Sequence, residues 1–119
     1  MKKILNIISS PGGESSASIK LANEIIKKLQ AKYPGSTVHT NDLNIKPYPH
    51  LEESHINSFF TPEEHRSEAH NTAIRHSDES IAEIMDADII VIGVPMYNFG
   101  IPSNLKAWID HVIRQGKTF

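Results

Sequence analysis

Apolar residues recur along this chain in two patterns. Ile4-Leu5-Asn6-Ile7-Ile8 and Ile89–Val94 are short, nearly unbroken apolar runs, and they read as strands buried on both faces. Elsewhere the apolar positions are spaced by three and four. Ile19, Ala22, Ile26, Leu29 and Tyr33, widened by Leu21 and Ile25, form one helical stripe; Leu105, Trp108, Ile109 and Val112 form another. Ser15, Ser16 and Ser18 are candidate N-caps for the first of these helices. Lys27, Lys28 and Lys32 favour its C-terminal end, and Pro34-Gly35 stops it. Thr37–Leu43 alternates weakly, as an edge strand does.

The segment from Asn44 to Phe60 carries Pro47 and Pro49 with little periodicity, and reads as loop. Thr61-Pro62-Glu63-Glu64 has the form of a capping box, so a helix is expected from there. It should break near His76-Ser77, with a second start at Ser77-Asp78-Glu79 leading to Ile81, Ile84 and Met85. The last helix is expected over Pro102–Arg114, closed by Gly116. Strands alternating with helices predict an α/β fold with a parallel sheet. No internal repeat, low-complexity tract or linker divides the chain, so residues 1–119 read as one domain.

Composition narrows the function classes. Twelve Lys and Arg stand against fourteen Asp and Glu with no basic stripe, which argues against nucleic acid as a partner. The chain has no cysteine, so disulfides and thiolate chemistry are excluded, and a reducing cytoplasm fits. Met1-Lys2-Lys3 precedes an apolar segment too short for a signal peptide. No stretch approaches the ~20 apolar residues of a membrane span. A cytoplasmic domain is expected.

Two loops carry the candidate chemistry. The first, Ser9 to Ser18, leaves a strand and opens a helix, so free backbone N–H groups and the positive helix end point at whatever sits there. Ser10, Ser15, Ser16 and Ser18 offer hydroxyls, while the Lys of a P-loop and the glycines of a dinucleotide fingerprint are both missing. What remains is a cradle for a single phosphate, or else a serine-rich cap with no ligand. The second loop, Met96-Tyr97-Asn98-Phe99-Gly100, follows Pro95 at the end of a strand. Its π-faces and amides suit a planar, polar-edged ring such as a flavin, although Tyr97 and Phe99 could equally pack beneath a neighbouring element. Gly100, just before Ile101-Pro102, is expected to supply a turn that a β-branched residue would strain.

Other residues read as structural. Trp108 lies on an apolar stripe and suits a core or an interface. The seven histidines miss the spacing of metal ligands on a helix face and are taken as solvated, so no metal site is expected. Asp86, Asp88 and Asp110 form no dyad, and Asp42 lacks the glycine fingerprint that would make it a ribose ligand. No side chain stands out as a catalytic acid, base or nucleophile.

Ser9-Ser10-Pro11-Gly12-Gly13-Glu14-Ser15-Ser16-Ala17-Ser18 and the stretch Pro95 to Asp110, PMYNFGIPSNLKAWID, together resemble the FMN-dependent NADH azoreductases, and the likeness runs from Ile4 to Phe119. The resemblance implies a flavodoxin-like three-layer α/β sandwich with a parallel sheet ordered 2-1-3-4-5, of which strands 1–3 lie in this chain. It implies that Ser10, Ser16, Ala17 and Ser18 bind the phosphate and ribityl region of FMN. Met96, Tyr97, Asn98 and Phe99 would lie along the isoalloxazine. The implied activity is two-electron transfer from NADH, through FMN, to a quinone or azo compound. The implied assembly is a homodimer with flavin sites near the interface, where the Trp108 helix is a candidate partner surface. A flavodoxin-type electron carrier and an inactive segment of the reductase are the rival readings. Family chains run on past the position matching Phe119 to supply a third flavin loop and further strands. Residues 1–119 are therefore expected to be an N-terminal portion that alone is unstable or associated and holds FMN poorly.

Overall fold

In the computed structural model, which describes residues 1–119, three parallel strands form a sheet in the order β2-β1-β3. They are β1 (Lys3–Ile8), β2 (Thr37–Asp42) and β3 (Ile89–Gly93), and Ile4 pairs with Val38 on one side and Ile89 on the other. Four helices accompany them: α1 (Ala17–Lys32), α2 (Glu53–Phe59), α3 (Glu68–Asp86) and α4 (Ser103–Val112). Residues alternate between faces along a strand. Ile4 and Val91 therefore meet Ala22 and Ile26 of α1 on one side. Leu5 and Ile7 meet Ile81 of α3 and Leu105, Trp108 and Val112 of α4 on the other. Each such aliphatic side chain contributes about 1.5–3 kcal/mol by leaving water. Trp108, 4 % exposed, lies in this core and gives α4 no aromatic contact for a partner.

The strand at 89 is less buried than its apolar run predicts. Only Val91 is buried; Ile90 and Ile92 are 41 % and 42 % exposed. β3 is an edge strand of this sheet, and α3 and α4 centre their apolar contacts on β1. Leu21 and Ile25, expected to widen the buried stripe of α1, are likewise exposed.

The region after β2 departs from expectation in three ways. Asn44–Phe60 is not all loop, because α2 forms within it, its first turn closed by a reciprocal box in which the Glu52 N–H donates to His55 Nδ1 at 2.9 Å. Thr61 caps no helix: its hydroxyl donates back to the Asn57 carbonyl at 2.6 Å, and only a short 3-10 turn, Glu63–His65, follows. The long helix α3 starts instead at a second box, Ser67 with His70, and runs through His76-Ser77 without a break. Ser77 faces inward there, its hydroxyl donated to the His111 carbonyl.

Two histidines are core residues rather than solvated ones. His111 is fully buried and His55 nearly so, their rings edge-on with centroids 4.8 Å apart. His111 Nε2 donates to the Pro49 carbonyl at 2.9 Å, which leaves Nδ1 buried with no partner. Burial pushes the His111 pKa down, aided by the neighbouring His55 and His76; the Pro49 contact and Asp110 oppose the shift without reversing it.

Candidate functional site

All three strands run parallel, but the order of addition reverses at β1: β2 lies on one side of it and β3 on the other. The loops leaving β1 and β3 therefore meet beyond the same sheet end, where open α/β folds form a crevice. The Ser9 hydroxyl donates to the Gly93 carbonyl at 2.7 Å and ties the two strand ends together. A Cβ at Gly93 would come within 3.3 Å of the Ser18 carbonyl oxygen, so glycine lets the first turn of α1 lie against the end of β3.

The first loop turns tightly through Gly13–Ser15 before α1 begins. Ser16 occupies the N-cap position in extended conformation, yet its side chain makes no capping bond. The amides of Ala17, Ser18 and Ile19 are taken by no side-chain or turn acceptor. Three N–H groups with the positive end of a sixteen-residue helix behind them form a donor set of the kind that suits an anion. Hydroxyls complete it. Ser16 and Ser18 share one bond at 3.0 Å, so one of their two protons points elsewhere. Ser10 Oγ accepts from the Gly12 N–H at 3.2 Å and keeps its own proton to give. Ser15 is not part of the set, because its hydroxyl donates to the Gly12 carbonyl at 2.9 Å.

The second loop is a two-residue hairpin turn. Tyr97 and Gly100 exchange both backbone bonds at 2.9 Å, and Asn98 and Phe99 between them have φ of 50° and 66°. This is the geometry of a type I′ turn, which Asn-Gly fills without strain and Phe does not. Gly100, in contrast, has no left-handed φ, and a Cβ there would meet nothing closer than the Tyr97 carbonyl oxygen at 3.9 Å. The expectation of a special glycine at 100 is therefore corrected: the special backbone belongs to Asn98 and Phe99. The turn leaves Tyr97 half-exposed and Phe99 98 % exposed, so neither packs beneath a neighbour.

A cleft of about 520 Å³ joins the two loops. Of the residues singled out from sequence, Ser10, Ser16, Ala17, Ser18, Met96 and Tyr97 line it together. Asn98 opens instead onto an adjoining cavity of about 1030 Å³, which Tyr97 also lines, and Phe99 stands at the turn tip outside both. Sequence reasoning missed Leu21, which faces the cleft, and the asparagines Asn44 and Asn104, which line the larger cavity. Leu21 had a signal, being an apolar residue off the centre of its helical stripe. The asparagines had none.

The model of a family described as having a flavodoxin-like fold matches residues 2–119. This chain belongs to that flavodoxin-like family. Relatives within it include a protein from Marinomonas sp. named FMN-dependent NADH:quinone oxidoreductase, 44 % identical over 119 residues, all of this chain and 60 % of that protein. One of the same name from Herminiimonas arsenicoxydans is 47 % identical over all of this chain and 58 % of its own length. Among solved structures, an azoreductase from Bacillus anthracis superposes with a TM-score of 0.88 at 29 % identity, over all of this chain and 59 % of that one. A Bacillus anthracis FMN-dependent NADH-azoreductase in complex with FMN, 22 % identical with a TM-score of 0.82 over 98 % of this chain and 58 % of its own, shares the fold. The chain thus spans about 60 % of the length of the curated relatives it matches. The strand order β2-β1-β3 is the part of the flavodoxin-like sheet that the sequence implied.

Proposed function

We propose that this chain carries the FMN-binding half-site of an NADH-dependent quinone or azo reductase. The observation that carries the reading is the meeting, across one cleft, of an uncapped helix N-terminus rich in hydroxyls with a doubly hydrogen-bonded turn bearing Tyr97. The donor set suits FMN. A phosphate monoester matches three free amides, the proton of Ser10 and the one free proton of the Ser16–Ser18 pair, and a planar ring matches a cleft walled by Leu21, Met96 and Tyr97. No second glycine-rich loop offers itself to an adenylate, which favours FMN over FAD. The names of the relatives point the same way.

When bound, FMN supplies two-electron chemistry between NADH and a quinone or azo acceptor, while the protein contributes binding and orientation. In this reading Ser10, Ser16, Ala17 and Ser18 anchor the phosphate end. Met96, Tyr97 and Asn98 lie along the ring, and Phe99 projects from the turn as an apolar rim. The adjoining cavity of about 1030 Å³ gives a second reactant room beside the ring, which supports a reductase over a simple electron carrier. No side chain is assigned a proton-transfer role. The exposed apolar Met96 and Phe99 support a homodimer closing over the site. A cysteine-free chain that draws on NADH fits the cytoplasm. No helix is long and apolar enough to cross a membrane.

The test is steady-state oxidation of NADH by the full chain with added FMN and a quinone or azo acceptor. Turnover dependent on both FMN and acceptor is expected. Flavin binding with negligible NADH oxidation would mean a carrier instead.

A further inference from the structure

The carbonyls at the end of β1 are held by two asparagines from distant parts of the chain. Asn104, in the first turn of α4, donates Nδ2 to the Ser9 carbonyl at 3.0 Å and to Asn44 Oδ1 at 3.2 Å. Asn44, just past β2, donates Nδ2 to the Ser10 carbonyl at 2.6 Å and to Asp42 Oδ1 at 3.0 Å. The Asn44 N–H also donates to Asp42 Oδ1, at 2.9 Å, which fixes the turn that carries the side chain. Neither asparagine lines the cleft between Ser10 and Tyr97.

This arrangement matters for an anion. A carbonyl oxygen turned towards a phosphate repels it, whereas one drawn away by a donor leaves the hydroxyls and amides to face it. The Ser10–Pro11 peptide depends on its carbonyl in particular. Pro11 has no N–H, so the plane of that peptide can be fixed by hydrogen bonding only at its oxygen. The Asn44 bond therefore sets the backbone from which the Ser10 hydroxyl projects, while the Asn104 bond sets the peptide before it.

We propose that Asn44 and Asn104 are positioning residues for the phosphate cradle, linking the ends of β1 and β2 to α4 so that Ser10 presents its hydroxyl to the anion. The proposal rests on the FMN reading above, and FMN and riboflavin together separate the two, because riboflavin is the same ring and ribityl chain without the phosphate. The full chain is titrated with each flavin, following flavin fluorescence, alongside Asn44→Ala, Asn104→Ala and the milder Asn104→Ser. Wild-type protein that fails to prefer FMN over riboflavin would contradict the FMN reading before any variant is considered. Given that preference, each variant should lose about tenfold or more in FMN affinity, the scale of one hydrogen bond to a charged group. Riboflavin affinity should stay at the wild-type value. Unchanged FMN affinity would overturn the proposal. So would equal losses for both flavins together with a lowered unfolding midpoint, since that is the mark of a merely structural role. If the alanine variants do not fold, Asn104→Ser decides; if none folds, the role is structural and the proposal is wrong.

Discussion

The buried hydroxyl of Ser9 donates to the carbonyl of Gly93 at 2.7 Å, joining the end of β1 to the end of β3. That bond sets the spacing between the hydroxyl loop and the Tyr97 turn. Ser9→Ala leaves a strand-end carbonyl without its donor, and should cost roughly 1–3 kcal/mol of stability. Urea unfolding of the variant and the wild type measures it; equal midpoints would show that solvent or another donor replaces the bond.

Phe99 stores strain. A non-glycine residue at φ 66° beside another at 50° is stabilised by Gly substitution at the second position, because type I′ turns prefer Asn-Gly. Phe99→Gly should raise the unfolding free energy by about 1 kcal/mol. It should also lower turnover or acceptor affinity if the exposed ring serves the site. A less stable Phe99→Gly protein would mean that the Phe99 side chain holds the turn rather than burdening it.

Ser16 and Ser18 share a hydrogen bond and one free proton at the mouth of α1. The double change to Ala should weaken FMN by roughly 1.5–3 kcal/mol, the worth of a hydrogen bond to a charged group. An unchanged dissociation constant would mean that the amides alone bind phosphate.

His111 makes stability depend on pH in a defined direction. Burial holds its folded pKa below the ordinary 6.5, so the folded state carries the neutral ring. This contribution is fully present above the unfolded pKa. As pH falls below about 6.5 the unfolded chain takes up the proton first, so stability declines until the lowered folded pKa is passed. Protonation would add a charge at Nδ1, which has no acceptor, in a ring that His55 and His76 already disfavour as a cation. Urea midpoints measured from pH 7.5 to 5 should fall, and His111→Asn, which cannot take up this proton, should flatten the dependence. An equal slope in that variant would assign the effect to other groups.

Much of this was legible in the residues, and the misses have physical causes. Apolar runs located β1 and β3, a weak alternation located β2, and helical stripes located α1 and α4, whose apolar residues at three- and four-residue spacing meet the sheet. α2 was missed because its seven residues carry two buried polar groups, His55 and Ser58, and its box uses His where Glu or Gln is the usual signal. The same substitution, His70 opposite Ser67, hid the true start of α3. Ser77 read as a helix start because serine prefers caps, but its hydroxyl is spent on the His111 carbonyl inside the core. In the site, motif residues announced themselves through residue type. The Asn98-Phe99 turn did not, since Phe at positive φ is a choice that local propensity opposes. Asn44 and Asn104 meet only because sixty residues of chain fold back between them, and no local pattern encodes that.

The central claim is that the cleft between Ser10 and Tyr97 holds FMN. Its most direct measurement is release of the cofactor from the purified protein, with identification and quantitation by chromatography. FMN as the flavin recovered, and its loss in a variant with Ser10, Ser16 and Ser18 all changed to Ala, is the predicted result. Recovery of FAD, or of FMN undiminished in that variant, would contradict the claim.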